Sequence, residues 1–69
     1  MLQVGDTAQI TDNNVRSFYP GARVILVEYS QIFDEYRVKA EHGQVEAWAN
    51  PGSLRLIAKK MENTRRTES

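Results

Sequence analysis

Cysteine is absent from this chain, and histidine occurs only once, as His42. The first absence excludes disulfide bonds and thiolate metal sites, and a single histidine cannot build a multi-histidine metal site within one chain. Motifs that cradle phosphates, bind dinucleotides or space metal ligands are also missing. We therefore expect no metal and no cofactor.

Long hydrophobic stretches are missing as well. The longest apolar block runs from Val24 to Val27, whereas a membrane-spanning helix needs about 20 apolar residues. The amino terminus does not show the basic region and apolar run of an export signal. We expect a cytosolic protein that does not enter a membrane.

The chain has 69 residues, enough for one domain. A domain of this size buries a smaller share of its surface than a larger one, and disulfides, metals or oligomerisation often stabilise it. Because the sequence excludes the first two, we expect self-association as the source of added stability.

Basic and acidic residues balance at nine each, but they are unevenly distributed. Residues 1–58 carry five basic and seven acidic residues, and residues 59–69 carry four basic and two acidic ones. Nucleic-acid-binding domains usually have a basic excess on their folded part, so this distribution counts against nucleic acid. Segment 59–69, which contains Arg65 and Arg66, is predicted to be a disordered polar tail.

Alternating apolar and polar residues predict five short strands. They cover residues 7–11, 22–29, 35–41, 44–49 and 54–58. The connections are loop 12–21, residues 30–34, a turn at His42-Gly43 and a corner at 50–53, where Pro51 cannot continue a central strand. We therefore predict that residues 1–58 form an all-β domain, closed into a small five-stranded barrel because closure removes exposed strand edges.

The same alternation predicts the core. The run from Val24 to Val27 is apolar on both faces. The expected inward-facing residues of the other four strands are Ala8, Ile10, Tyr36, Val38, Ala40, Val45, Ala47, Ala49, Leu54 and Leu56. Trp48 and Glu46 fall on the opposite face from Val45 and Ala47. Two interpretations of Trp48 stay open: it packs against the core or tail, or it forms an exposed aromatic patch with Phe18, Tyr19 and Phe33.

The order of these segments resembles the SH3-like barrel. The matching pieces are VGDTAQIT, the ten-residue loop in the place of the RT loop, GARVILVEYS, the hairpin EYRVKAEHGQVEAWA and NPGSLRLI. The resemblance covers residues 4–58, and its generic motifs imply a fold rather than an activity. Peptide-binding members hold proline-rich ligands on an aromatic groove, but their paired tryptophans and acidic RT loop are missing here.

Two further branches of this fold imply other functions. KOW-type barrels are similar in the segment VGDTAQIT…GARVILV and imply RNA binding through Arg16, Arg23, Arg37 and the tail 59–69. Their glycine spacing is incomplete here, and the neighbouring glutamates oppose phosphate contact.

The second branch is the type II dihydrofolate reductase, a tetramer that resembles the layout of GDTAQIT, DEYRVKAEHGQVEAW and SLRLI. Its pore segment Val-Gln-Ile-Tyr corresponds to Val45-Glu46-Ala47-Trp48. Four copies of the Glu46 carboxylate around one pore would repel NADPH.

Few residues suggest catalysis. His42 in its turn is expected to be solvated, and the serines lack a nucleophile-elbow context. Asp34 and Glu35 are adjacent on a strand and therefore point to opposite faces. We expect a non-enzymatic binding or assembly module that contacts a protein partner, or another copy of itself. The predicted contact residues are Arg16, Phe18, Tyr19, Phe33 and Trp48.

Overall fold

The computed structural model describes residues 2–59, which form five antiparallel strands and one 3-10 helix. The strands are β1 (Thr7–Ile10), β2 (Arg23–Ser30), β3 (Glu35–Ala40), β4 (Glu46–Ala49) and β5 (Leu54–Ala58), with the 3-10 helix at Pro51–Ser53. The all-β prediction is confirmed, and every predicted strand end lies within two residues of the observed one. Of the predicted tail, residues 60–69 lie outside the described part of the chain.

All five strands belong to one sheet with the order β4-β3-β2-β1-β5. Hairpin turns join β2 to β3 and β3 to β4, and β1 pairs with both β2 and β5. Strands β4 and β5 are the two ends of the sheet, and the 3-10 helix connects them. The five-stranded antiparallel fold is therefore confirmed, while closure into a barrel stays a prediction.

The core lies on one face of the sheet. Its buried residues are Ala8, Ile10, Val15, Val24, Leu26, Val38, Ala49 and Leu54. Tyr36 and Ala47 pack against this cluster as predicted. The prediction was wrong for Val45, which is 47% exposed. It lies just beyond the last β3–β4 register pair, although its carbonyl still accepts a hydrogen bond from the Ala40 backbone N–H at 2.8 Å. Leu56 is also exposed, since it lies on the end strand β5.

A bulge bends β2 between Leu26 and Glu28, at the point where Val27 is the extra residue. Before the bulge Leu26 pairs with Val38, and after it Glu28 pairs with Arg37. The bulge therefore moves Glu28 to the outer face and brings Tyr29 to the core side, because side chains alternate along a strand. The rings of Tyr29 and Tyr36 then lie 4.8 Å apart.

The first half of the long loop between β1 and β2 is anchored to the core and to the 3-10 helix. Val15 inserts its side chain into the core. Asp12 accepts hydrogen bonds from the Asn14 backbone N–H at 2.9 Å and from the Ser53 hydroxyl at 3.0 Å. The loop is thereby fastened to the 3-10 helix, which limits how far its exposed residues can move.

Asp6 closes the turn that precedes β1. Its carboxylate is fully buried and accepts hydrogen bonds from the Gln3 backbone N–H at 2.9 Å and from Lys59 Nζ at 3.3 Å. Because Asp6→Ala leaves these donors without this acceptor, we expect it to lower the free energy of unfolding by about 1–3 kcal/mol. Urea denaturation measures the change. The isosteric Asp6→Asn variant, which keeps one acceptor oxygen, should lose less, and an unchanged midpoint for Asp6→Ala would contradict this role.

Candidate functional site

Trp48 lies on the outer face of the sheet. It is directly opposite Arg37 in the β3–β4 register, and its neighbours Ala47 and Ala49 point toward the core. Its side chain is 44% exposed. The structure thus confirms the predicted strand register and favours the exposed interpretation of Trp48 over the core interpretation.

Trp48 and Phe33 line one groove with Ser30 and Glu35, with a volume of about 350 Å³. We call these four residues the aromatic groove. Phe33 comes from the β2–β3 turn and is 71% exposed. Ser30 and Glu35 are paired at the end of the β2–β3 ladder. Two separate elements of the fold, strand β4 and the β2–β3 turn, therefore present aromatic rings to the same depression.

Side-chain hydrogen bonds hold the turn that carries Phe33. The Phe33 backbone N–H donates to Ser30 Oγ at 3.3 Å, and the Tyr29 hydroxyl donates to Asp34 Oδ1 at 2.7 Å. Asp34 has a φ of 52°, a left-handed conformation that Asp and Asn adopt more readily than most residues. Asp34 thus lies in the turn and not on a strand, as predicted, and its carboxylate faces Tyr29, while Glu35 begins β3 and lines the groove.

The Tyr29–Asp34 hydrogen bond raises the pKa of Tyr29 above its ordinary value, with burial and the Asp34 charge contributing further. The folded state thus favours the neutral phenol. The contribution of this hydrogen bond to the free energy of unfolding is complete below the pKa of the unfolded tyrosine, and it is lost as the pH rises through the pKa of the folded one. We expect Asp34→Asn, which tolerates the same φ, to lower the pKa of Tyr29. Alkaline absorbance titration tests this, with Tyr29→Phe identifying its signal. Identical titrations of Asp34→Asn and the unsubstituted chain would contradict the assignment.

The charges beside the groove are mostly paired. Arg37 Nε lies 2.9 Å from Glu28 Oε1, and its guanidinium also contacts Glu46. The hydrogen bond with Glu28, followed by that with Glu46, raises the pKa of Arg37. Within residues 2–59, Glu35 has no ion-pair partner.

The predicted contact residues in loop 12–21 lie elsewhere. Phe18 packs against the core, while Tyr19, at 80% exposure, and Arg16 line a separate pocket of about 280 Å³. This loop leads into the start of β2, and the turn that carries Phe33 follows the end of β2. The eight residues of β2 span about 25 Å. The members of the expected aromatic patch therefore line separate depressions, Trp48 and Phe33 the groove and Phe18 and Tyr19 the loop pocket, and their roles in binding stay predictions.

A third depression, of about 500 Å³, separates loop 12–21 from the β3–β4 turn. Its lining includes Phe18, Val45 and the ion pair between Arg23 Nε and Glu41 Oε1 at 2.9 Å. His42 is also there, with its side chain 94% exposed and its Nε2 3.9 Å from Glu41 Oε1. Because the arginine and glutamate already satisfy each other, this depression has less to offer a ligand than the aromatic groove.

Sequence reasoning missed two members of the groove, Ser30 and Glu35. The alternation of strand residues did not show that Glu35 and Trp48 share a depression. The bulge in β2 decides this, because it places Ser30 on the outer face beside Glu35. A bulge of this kind has no marker in the local sequence.

No group of three or more histidine, aspartate or glutamate side chains in residues 2–59 is arranged to hold a metal ion. Over the same residues, no helix has the length and apolar character needed to cross a membrane. Comparison with models of protein families, with curated proteins and with solved structures found no match. The resemblance to SH3-like barrels therefore stays a prediction from the sequence.

Proposed function

We propose that this domain is a non-enzymatic binding module that holds a protein partner in the aromatic groove. The observation that carries the proposal is the convergence of Trp48 and Phe33, both exposed, on one depression. Exposed aromatic side chains are costly to leave in water and often dominate the energy of protein interfaces. A cytosolic location, with which the lack of cysteine is compatible, is part of this proposal.

The pairing of the arginines supports a protein partner over nucleic acid. RNA binding was expected to depend on Arg16, Arg23, Arg37 and the tail 59–69. Arg23 and Arg37 are engaged by Glu41, Glu28 and Glu46, so these cations are already neutralised locally. Phosphate binding needs clustered positive charge. Salt-sensitive retention of the full chain on heparin would instead support the nucleic-acid alternative.

The environment of segment 45–48 also bears on the reductase-like alternative. Arg37 pairs with Glu46 and offsets its charge, so repulsion of an anionic cofactor is a weaker objection than the sequence suggested. However, Ala47 packs against the core and Trp48 lines a groove with Phe33, which supports binding at the groove within one chain. A tetramer whose tryptophan fluorescence responds to NADPH would support the reductase instead.

Affinity capture followed by reconstitution tests the proposal. The immobilised full chain captures partners, and each purified candidate is then titrated against the wild type, Phe33→Ala and Tyr19→Ala. We expect Phe33→Ala to weaken binding and Tyr19→Ala, an exposed aromatic at the other end of the sheet, to leave it unchanged. The reverse pattern would move the contact surface to loop 12–21, where the roles of Arg16, Phe18 and Tyr19 stay predictions. Concentration-dependent mass of the chain alone would identify the partner as a second copy.

A further inference from the structure

Glu35 differs from the other carboxylates of the described chain. Glu28, Glu41 and Glu46 each pair with an arginine. The remaining aspartates, Asp6, Asp12 and Asp34, accept hydrogen bonds from other side chains or the backbone. Within residues 2–59, Glu35 has no side-chain hydrogen bond or ion pair of its own.

This carboxylate lies in the same groove as Trp48 and Phe33. The face of an aromatic ring attracts a cation within about 6 Å through its quadrupole, most strongly when the ring is tryptophan. A carboxylate attracts the same cation through its charge. The groove therefore combines two features that both favour a positive group and disfavour a negative one.

The side chains around the groove carry a net negative charge, as Glu35 does. The groove and the outer-face positions beside it carry three carboxylates (Glu28, Glu35 and Glu46) and two cations (Arg37 and Lys39). The arginine is shared between two of these carboxylates. The local excess of negative charge increases the attraction for a basic ligand at low ionic strength.

We propose that the occupant of the aromatic groove is an arginine or lysine side chain on a basic segment of the partner protein. This inference rests on the proposed function and adds the chemical class of the ligand. The cation lies against the Trp48 and Phe33 rings and pairs with Glu35. Ile32, which adjoins Phe33 in the turn and is 87% exposed, supplies apolar contact for residues that flank the cation.

Trp48 provides the signal for a direct test, because it is the single tryptophan of the chain. Short acetylated and amidated peptides of equal length, which differ only in a central Arg, Lys, Gln or Glu between two leucines, are titrated into the full chain. We expect saturable changes in tryptophan fluorescence with the Arg and Lys peptides that weaken as salt is raised. The Gln and Glu peptides should give no saturable change.

Two matched variants locate the cation. Glu35→Gln keeps the shape of the side chain and removes its charge, so we expect it to weaken binding of the Arg peptide about three- to tenfold. Glu41→Gln makes the same exchange at the other end of the sheet, where Glu41 pairs with Arg23, and should leave the affinity unchanged. Equal affinities for Glu35→Gln and the wild type would overturn the assignment of Glu35.

The remaining outcomes separate this inference from the proposed function. If the peptides fail but a purified partner still loses affinity on Phe33→Ala, the groove binds a partner of other chemistry and only the cation inference is overturned. If neither the binding of the peptides nor that of any partner depends on the groove, the cation inference and the proposed function are both overturned. The Arg65→Gln/Arg66→Gln variant of the full chain tests the chain's own basic segment. A shift of its tryptophan emission without ligand would assign the groove to that segment and overturn the external partner.

Discussion

Leu26→Ala is expected to lower the free energy of unfolding by about 2–5 kcal/mol. Leu26 is fully buried in β2, which pairs with both β1 and β3, and it is directly opposite Val38. A chain of 69 residues has a total stability of about 3–10 kcal/mol. The substitution should therefore leave a large part of the population unfolded, and chemical denaturation followed by circular dichroism measures it.

Ile32→Ala is the matched control, because the side chains of isoleucine and leucine have the same number of carbon atoms. Ile32 is almost fully exposed in the β2–β3 turn, so its replacement should change stability by about 0.5 kcal/mol or less. Equal destabilisation by the two variants would show that β2 does not have the central buried position described above.

Trp48→Ala is expected to abolish most partner binding and to leave the fold intact. Truncation of an aromatic residue at the centre of an interface typically costs about 2 kcal/mol or more, which is a loss of affinity of about 30-fold or more. Trp48 lies on the outer face of the end strand β4, so its side chain contributes little to the core. Isothermal titration calorimetry with the purified partner measures the loss without needing tryptophan fluorescence.

Two controls make this result specific. The denaturation midpoint of Trp48→Ala should stay close to that of the wild type, because the buried cluster does not include Trp48. Tyr19→Ala removes another exposed aromatic ring, from loop 12–21, and should keep full affinity. Retention of wild-type affinity by a folded Trp48→Ala variant would place the partner elsewhere on the molecule.

The strands and most of the core were predictable because their patterns are local. Alternation along β3 placed Val38 inward and Arg37 outward, and Pro51 marked the corner before β5. The outward direction of Trp48 followed from the same rule, because its neighbour Ala47 faces the core. In these elements the apolar residues recur at every second position, which matches the alternation of side chains between the two faces of a strand.

The features that could not be predicted from the sequence depend on how distant parts of the chain pair with one another. The bulge at Val27 reverses the alternation of β2, which places Glu28 opposite Arg37 and Ser30 in the groove. Tyr19 and Trp48 line different depressions because of the way the strands pair in the sheet. Local sequence does not show this pairing. Val45 is apolar and alternates correctly, but it is exposed at the margin of the sheet, just before β4 begins at Glu46.

The central claim, that a partner is held in the aromatic groove, is tested most directly by acrylamide quenching of Trp48 in the full chain with and without the purified partner. The quencher is uncharged, so Glu35 does not alter its access, and the signal comes from the single tryptophan. The account predicts ready quenching of the free chain and strong protection in the complex. Equal quenching of Trp48 in the free chain and in a saturated complex would contradict it.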